Sequence, residues 1–198
     1  MFRFIAVLLT GLVLPIAALA QSHCFALSDL GAPIHYAATG SALASDQTRI
    51  RFIGHSMYHI ETYEGVTAVT DYSGYIGANF PTPDIVTMNH AHSSHYTDFP
   101  DLKIPNVLRG WDPNGGVAKH FLEIKDILVR NVTSDIRSSF TEFIPDGNSI
   151  FIFEVGGLCI GHLGHLHQEL SDEQYAAIGR MDVVMVPVDG STTLPIEA

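Results

Sequence analysis

Basic side chains are scarce in this chain. Ten lysines and arginines stand against 21 aspartates and glutamates in 198 residues, a formal net charge of −11. With no basic patch to meet phosphates, the balance excludes nucleic acid and an anionic membrane as partners. Cysteine is nearly absent too. Cys24 and Cys159 could pair in an exported chain, but nothing in the sequence brings them together, and Cys159 within Leu158-Cys159-Ile160 reads as a small buried core residue. No G-x-S-x-G elbow occurs, so Ser94 beside His95 does not make a serine hydrolase. Internal repeats and low-complexity linkers are missing as well, which leaves a single domain.

Only one long apolar run is present, from Ile5 to Ile16, with Arg3 before it and Ala18-Leu19-Ala20 after it. It is shorter than the ~20 residues of a spanning helix and ends in a small-x-small site. Residues 1–20 therefore read as a cleaved secretory signal, residues 21–198 as the mature domain, and the destination as the periplasm or the exterior. Ser22 and His23 precede Cys24 where a lipoprotein would carry small residues, so no lipid anchor is expected. Asn131-Val132-Thr133 fits a glycosylation sequon, of consequence only in a eukaryotic secretory host.

Histidine, by contrast, is abundant. The chain has eleven, and His90-Ala91-His92-Ser93-Ser94-His95 and His162-Leu163-Gly164-His165-Leu166-His167 each follow an apolar, β-branched run. Neutral imidazole is a common zinc ligand, and clusters at strand ends are the layout of a metal site. The period of two in an extended chain puts His90 and His92 on one side, with His95 entering from the loop beyond.

Hydrophobic patterning predicts mostly strands. Arg49 to Glu61 alternates, interrupted at Gly54-His55-Ser56, and Val66 to Asp71 follows a Glu64-Gly65 turn, as in a hairpin. Further strands are expected over Asp84 to Met88, Phe121 to Val132, Ser149 to Cys159 and Val183 to Val188. The clearest helix is Ser171 to Gly179: Ser171 and Gln174 have capping-box spacing, Asp172 and Glu173 suit its first turn, and Gly179 stops it. Many strands and few helices suggest two packed sheets with helices outside.

The order of these motifs resembles the metallo-β-lactamase superfamily, in particular its sugar-lactonase-like branch. The likeness runs from about Arg49 to the last residue. It rests on Ile53-Gly54-His55-Ser56 in the first hairpin, Asp71 at a strand end, His90 to His95 in place of H-x-H-x-D-H, Gly161-His162-Leu163-Gly164, and Val186-Pro187-Val188-Asp189-Gly190. The resemblance implies an α+β fold, the αββα sandwich. By position it implies that His90, His92 and His162 hold one metal ion and that His95 serves a second. Ser94 replaces the family's first aspartate and His165 its bridging aspartate, where an imidazole can still coordinate. Asp98 or His167 is available to supplement the second site, and the loss of carboxylates makes the first site the better occupied. The chain ends at Ala198 before the family's last histidine, so the domain is expected to be incomplete, with an open sheet face available for self-association.

Asp71 is expected to orient the metal ligands or simply to end a strand. His55 lies at the mouth of the site or caps a tight turn, and Trp111 walls a pocket or packs structurally. The function implied is an exported hydrolase of a small ester, lactone, lactam or phosphoester, using one or two zinc or similar ions. A metal-activated water would be the nucleophile, and His167 is the candidate side chain to assist it. The alternative is a non-catalytic periplasmic metal-binding protein that keeps the fold.

Overall fold

Alternating apolar residues build two sheets packed face to face. The computed structural model describes residues 22–25, 42–137, 143–187 and 193. The proposed signal over 1–20 and the Val188-Asp189-Gly190 part of the last motif lie outside the described residues. The first sheet contains β1 (Arg49–Gly54), β2 (Met57–Glu61), β3 (Thr67–Val69), β4 (Ile85–Met88) and β5 (Asn106–Arg109), in that spatial order. Its first two pairings are antiparallel and its last two parallel.

The second sheet contains β6 (Phe121–Ile124), β7 (Ile127–Arg137), β8 (Phe143–Val155), β9 (Leu158–His162) and β10 (Val183–Met185). These strands lie in sequence order, antiparallel except for the β9–β10 pair, which the helix α1 (Asp172–Ile178) connects. Two stretches that read as single strands are hairpins. Phe121 to Val132 turns at Lys125 (φ 50°), and Ser149 to Cys159 turns at Gly156 and Gly157 (φ 58° and 77°), the left-handed pair a two-residue hairpin turn needs. Each turn is only two residues, Lys125-Asp126 and Gly156-Gly157, with apolar residues directly on either side, so the hydropathy pattern ran across both.

The core follows the period of two. Phe151, Phe153 and Val155 of β8 face the first sheet and meet Ile60, Ala68 and Ile85, while Ile150 and Ile152 face outward onto Leu166 and Ile178. Helix α1 covers that outer face. Ser171 caps it as the sequence predicts: its hydroxyl accepts from the Gln174 amide, and the Gln174 side chain accepts from the Ser171 amide. Over the first sheet's outer face the described residues supply loops, which close on Val69, Val86 and Met88 with Tyr72, Ile76 and Ile104. Among the described residues no helix is long and apolar enough to cross a membrane.

A clasp at residues 22–25 holds the outer layer. Cys24 is disulfide-bonded to Cys159 of β9, 135 residues away, which corrects the reading of Cys159 as a free core thiol. Beside it Glu154 accepts from the Ser22 hydroxyl, the His23 amide (3.0 Å) and Arg130 Nε (2.7 Å). The Arg130 guanidinium also donates to the carbonyls of Ala177 and Ile178 at the end of α1, and its carbon lies 4.2 Å from the centre of the Phe25 ring. Cations suit a helix C-terminus, so one arginine ties together strand, helix and N-terminal segment. The Asn131 amide is spent inside the second sheet, donating to the Ala118 carbonyl and the Ser149 hydroxyl.

Candidate metal centre

The histidines gather where one end of each sheet meets the other. Three loops deliver them: the β1–β2 turn brings His55 and Ser56, the segment after β4 brings His92, Ser94 and His95, and β9 with its following turn brings His162 and His165. All of these but Ser94 border a cavity of about 320 Å³ whose other wall, among the described residues, is largely apolar. The ring of His92 lies 4.5 Å from that of His95 and 5.4 Å from that of His165, with His95 and His165 5.1 Å apart. Ligand nitrogens of His55, His92 and His95 all lie within 4.8 Å of one another.

Asp71 fixes the tautomer of His95. Its buried carboxylate receives His95 Nδ1–H at 2.6 Å and the Asn89 amide at 2.9 Å. Burial by itself would raise the Asp71 carboxyl, but His162, His95 and the Asn89 bond together hold it below its ordinary value. An ionised Asp71 can only accept, so His95 Nδ1 carries the proton and Nε2 presents a lone pair. That lone pair faces His55 Nε2, 3.1 Å away. Ser94 Oγ sits 2.9 Å from His55 Nε2 and 2.7 Å from His92 Nδ1, within hydrogen-bond reach of both rings. His162 Nε2 donates to the Ser56 carbonyl at 3.0 Å, and burial pushes this imidazole below its usual pKa despite Asp71.

The expected members are not all brought here. His92, His95, His162 and His165 border the cavity, but His90 does not: its ring stacks on Trp111 at 4.8 Å and meets Tyr96 at 5.2 Å. The cause is local. Strand β4 ends at Met88, so the period of two does not extend through residues 90–92, and the two side chains part. Trp111 accordingly packs against the first sheet's outer cluster rather than walling the cavity. Asp98 does not border the cavity either, nor does His167, which stacks on Phe143 at 5.3 Å. His55, open to two readings in the sequence, stands inside the cluster. Its φ of 53° is the left-handed conformation of the turn that aims it, the one trace of its role in the Gly54-His55-Ser56 interruption.

Two glycines let the clusters approach. A Cβ on Gly164 (φ 60°) would lie 2.3 Å from Asn89 Nδ2 and 2.5 Å from Asn148 Oδ1, and one on Gly110 would lie 2.4 Å from Asn89 Oδ1. Asn89 occupies the space between them, accepting from the Ser149 amide of the second sheet at 2.7 Å while donating to Asp71 of the first. Gly164→Ala should therefore destabilise the protein by about 1–3 kcal/mol through overpacking and left-handed strain. Urea unfolding checks this, and an unchanged midpoint would contradict the tight approach.

A family model described as "Beta-lactamase superfamily domain" matches residues 49–198. The chain belongs to the metallo-β-lactamase superfamily. Among solved structures, a Thermotoga maritima protein provisionally described as a Zn-dependent hydrolase of this superfamily is 26% identical, with a TM-score of 0.52 over 76% of this chain. The chain spans 66% of that protein's length, just under two thirds. A provisionally described metal-dependent hydrolase from Parabacteroides distasonis (17% identity, TM-score 0.54, 74% of this chain and 72% of that one) shares the fold. So does the metallo hydrolase Igni18 of Ignicoccus hospitalis (16%, 0.51, 76% and 74%). No curated protein matches. The fold is thus the α+β sandwich of the superfamily's hydrolases, with a histidine cluster that can hold a metal.

The donor set fits such an ion. Neutral imidazoles suit zinc and its neighbours, and the arrangement of a buried carboxylate behind a histidine whose far nitrogen faces other imidazoles is the one metal-ligating histidines adopt.

Proposed function

We propose that this chain is an exported, zinc-dependent hydrolase of an ester, lactone, lactam or phosphoester bond. The observation that carries the reading is the Asp71–His95 bond, which leaves His95 Nε2 aimed at His55 in a cavity shared with His92 and His165. His55, His92 and His95 would hold the ion, with His165 beside them. When bound, zinc would lower the pKa of a coordinated water and polarise the substrate oxygen. The protein's own part is orientation: Asp71 holds His95, Ser94 holds His92 at Nδ1, and Asn89 holds Asp71. The Cys24–Cys159 disulfide supports export, since such bonds persist in oxidising compartments.

Zinc titration followed by calorimetry tests the reading. Asp71→Asn keeps the shape of the carboxylate but not its charge, and should weaken zinc binding by about 10–100-fold. A protein that takes up no zinc at micromolar concentration, or an Asp71→Asn variant that binds as the parent does, would sink it. Ser94, where relatives of this family carry a metal-binding aspartate, favours a second reading as a non-catalytic metal-binding protein. Tight zinc without turnover of any of the four bond types would select it.

A further inference from the structure

Resting on the export reading, we propose that the amino terminus left by cleavage after Ala20, Gln21-Ser22-His23, is a copper(II) site separate from the histidine cavity. The spacing comes first. A histidine at the third position of a free amino terminus offers four nitrogens that can lie in one plane: the α-amine, the amides of the second and third residues, and the ring Nδ1. Fused chelate rings then close around a single ion. Such a planar set suits copper(II) and nickel(II), copper the more strongly, whereas zinc has no electronic preference for a plane. Cleavage at Ala18-Leu19-Ala20 makes His23 the third residue.

The second observation is the conformation of His23. Its amide nitrogen and its Nδ1 both meet the same oxygen, Glu154 Oε2, at 3.0 and 3.3 Å. Those two nitrogens are the pair that must converge on the ion, so the ring is already turned back toward its own amide as the chelate needs. The other carboxylate oxygen, Oε1, accepts from the Ser22 hydroxyl and Arg130, which leaves Oε2 to His23. The His23 side chain is 43% exposed, open to an ion arriving from solvent.

Sulfur does not compete for the ion. A ring nitrogen of His23 and the sulfurs of Cys24 and Cys159 lie within 4.8 Å of one another, but the sulfurs are spent on each other in the disulfide. The remaining donors are those of the amino terminus. Binding exchanges protons and moves no electron. Copper takes the place of the two amide protons and of one proton on the α-ammonium group, and all three go to solvent, so affinity should rise with pH. The His23 amide then gives up its bond to Glu154, and the carboxylate remains as a negative charge near the ion in a molecule of net charge −11. Neither Ser22 nor His23 borders the histidine cavity, so the two metals would be held apart.

The full chain is expressed with its own leader and no amino-terminal tag, and the purified protein is titrated with copper(II) while mass spectrometry reads where it begins. The first equivalent should bind with the violet absorption of copper on deprotonated amides, which copper on imidazoles alone does not give. Ser22→Pro removes one of the amide nitrogens and His23→Ala removes the ring. Each should abolish the violet species and weaken that equivalent by more than about 100-fold, beyond what an orienting partner is worth, while zinc in the cavity stays at the parent level. A violet species that survives Ser22→Pro would overturn the inference, as would a Gln21 closed to pyroglutamate, which has no free amine. The two readings fail separately. A purified chain that keeps residues 1–20 removes the export reading and this site with it, whereas a chain beginning at Gln21 that binds copper through imidazoles alone keeps export and removes the site.

Discussion

Replacing His95 with alanine should cost more than about 100-fold in zinc affinity, beyond the range expected for losing an orienting partner alone, and with it any hydrolytic activity. His95 is buried, bonded to Asp71 through one nitrogen and facing His55 through the other, so it connects the supporting carboxylate to the ligand cluster. Alanine removes both connections. His90→Ala should behave differently, because its ring is stacked on Trp111 and stands apart from the cluster: zinc content after dialysis should stay near that of the parent. Elemental analysis of the two variants side by side is the measurement. Equal loss from both would show that the segment after β4 rearranges to bring His90 in when metal binds, and would return the ligand set to the one the resemblance implies.

The largest loss of stability should come from Glu154→Gln. The change leaves the Arg130 charge buried without its counter-charge, and breaking one partner of such a pair typically costs about 3–5 kcal/mol. Burial would raise the Glu154 carboxyl, but the Ser22 hydroxyl, Arg130 and His23 hold it below its ordinary 4.5. A depressed folded pKa means stability present above the unfolded value and lost as pH falls through the folded one. The gap between parent and variant in urea unfolding should therefore be constant from pH 7 to about pH 5 and shrink below. A gap independent of pH down to 3 would show that the carboxylate's charge is not what holds the clasp.

What could be read in the sequence was local. The capping residues of α1 lie within four positions of one another, and the apolar run into His90 is a strand by its own pattern, so each needed no knowledge of the rest of the chain. Strand β5, only four residues after Pro105, had too short a pattern to register. What was not legible depends on distance or on one dihedral angle. Cys24 and Cys159 meet only because α1 and β9 pack beside the N-terminal segment. His55 and His95 meet across 40 residues through a left-handed turn, and His90 parts from His92 because a strand stops two residues early. The motif told which residue types belong near a metal; the chain's path decided which of them face it.

Asn89 makes one more consequence concrete. Its amide reaches a backbone N–H of one sheet and a carboxylate of the other, in a space where neither Gly110 nor Gly164 tolerates a methyl group. A half-assembled site therefore has no partly competent form, since sliding one sheet against the other releases Asp71 and with it His95. Zinc should then act as a ligand of the whole sandwich. Its binding free energy should appear as a rise in the global unfolding temperature and as slowed exchange of amides along the whole of β8, because the ion and the packed core would be sensed by the same equilibrium.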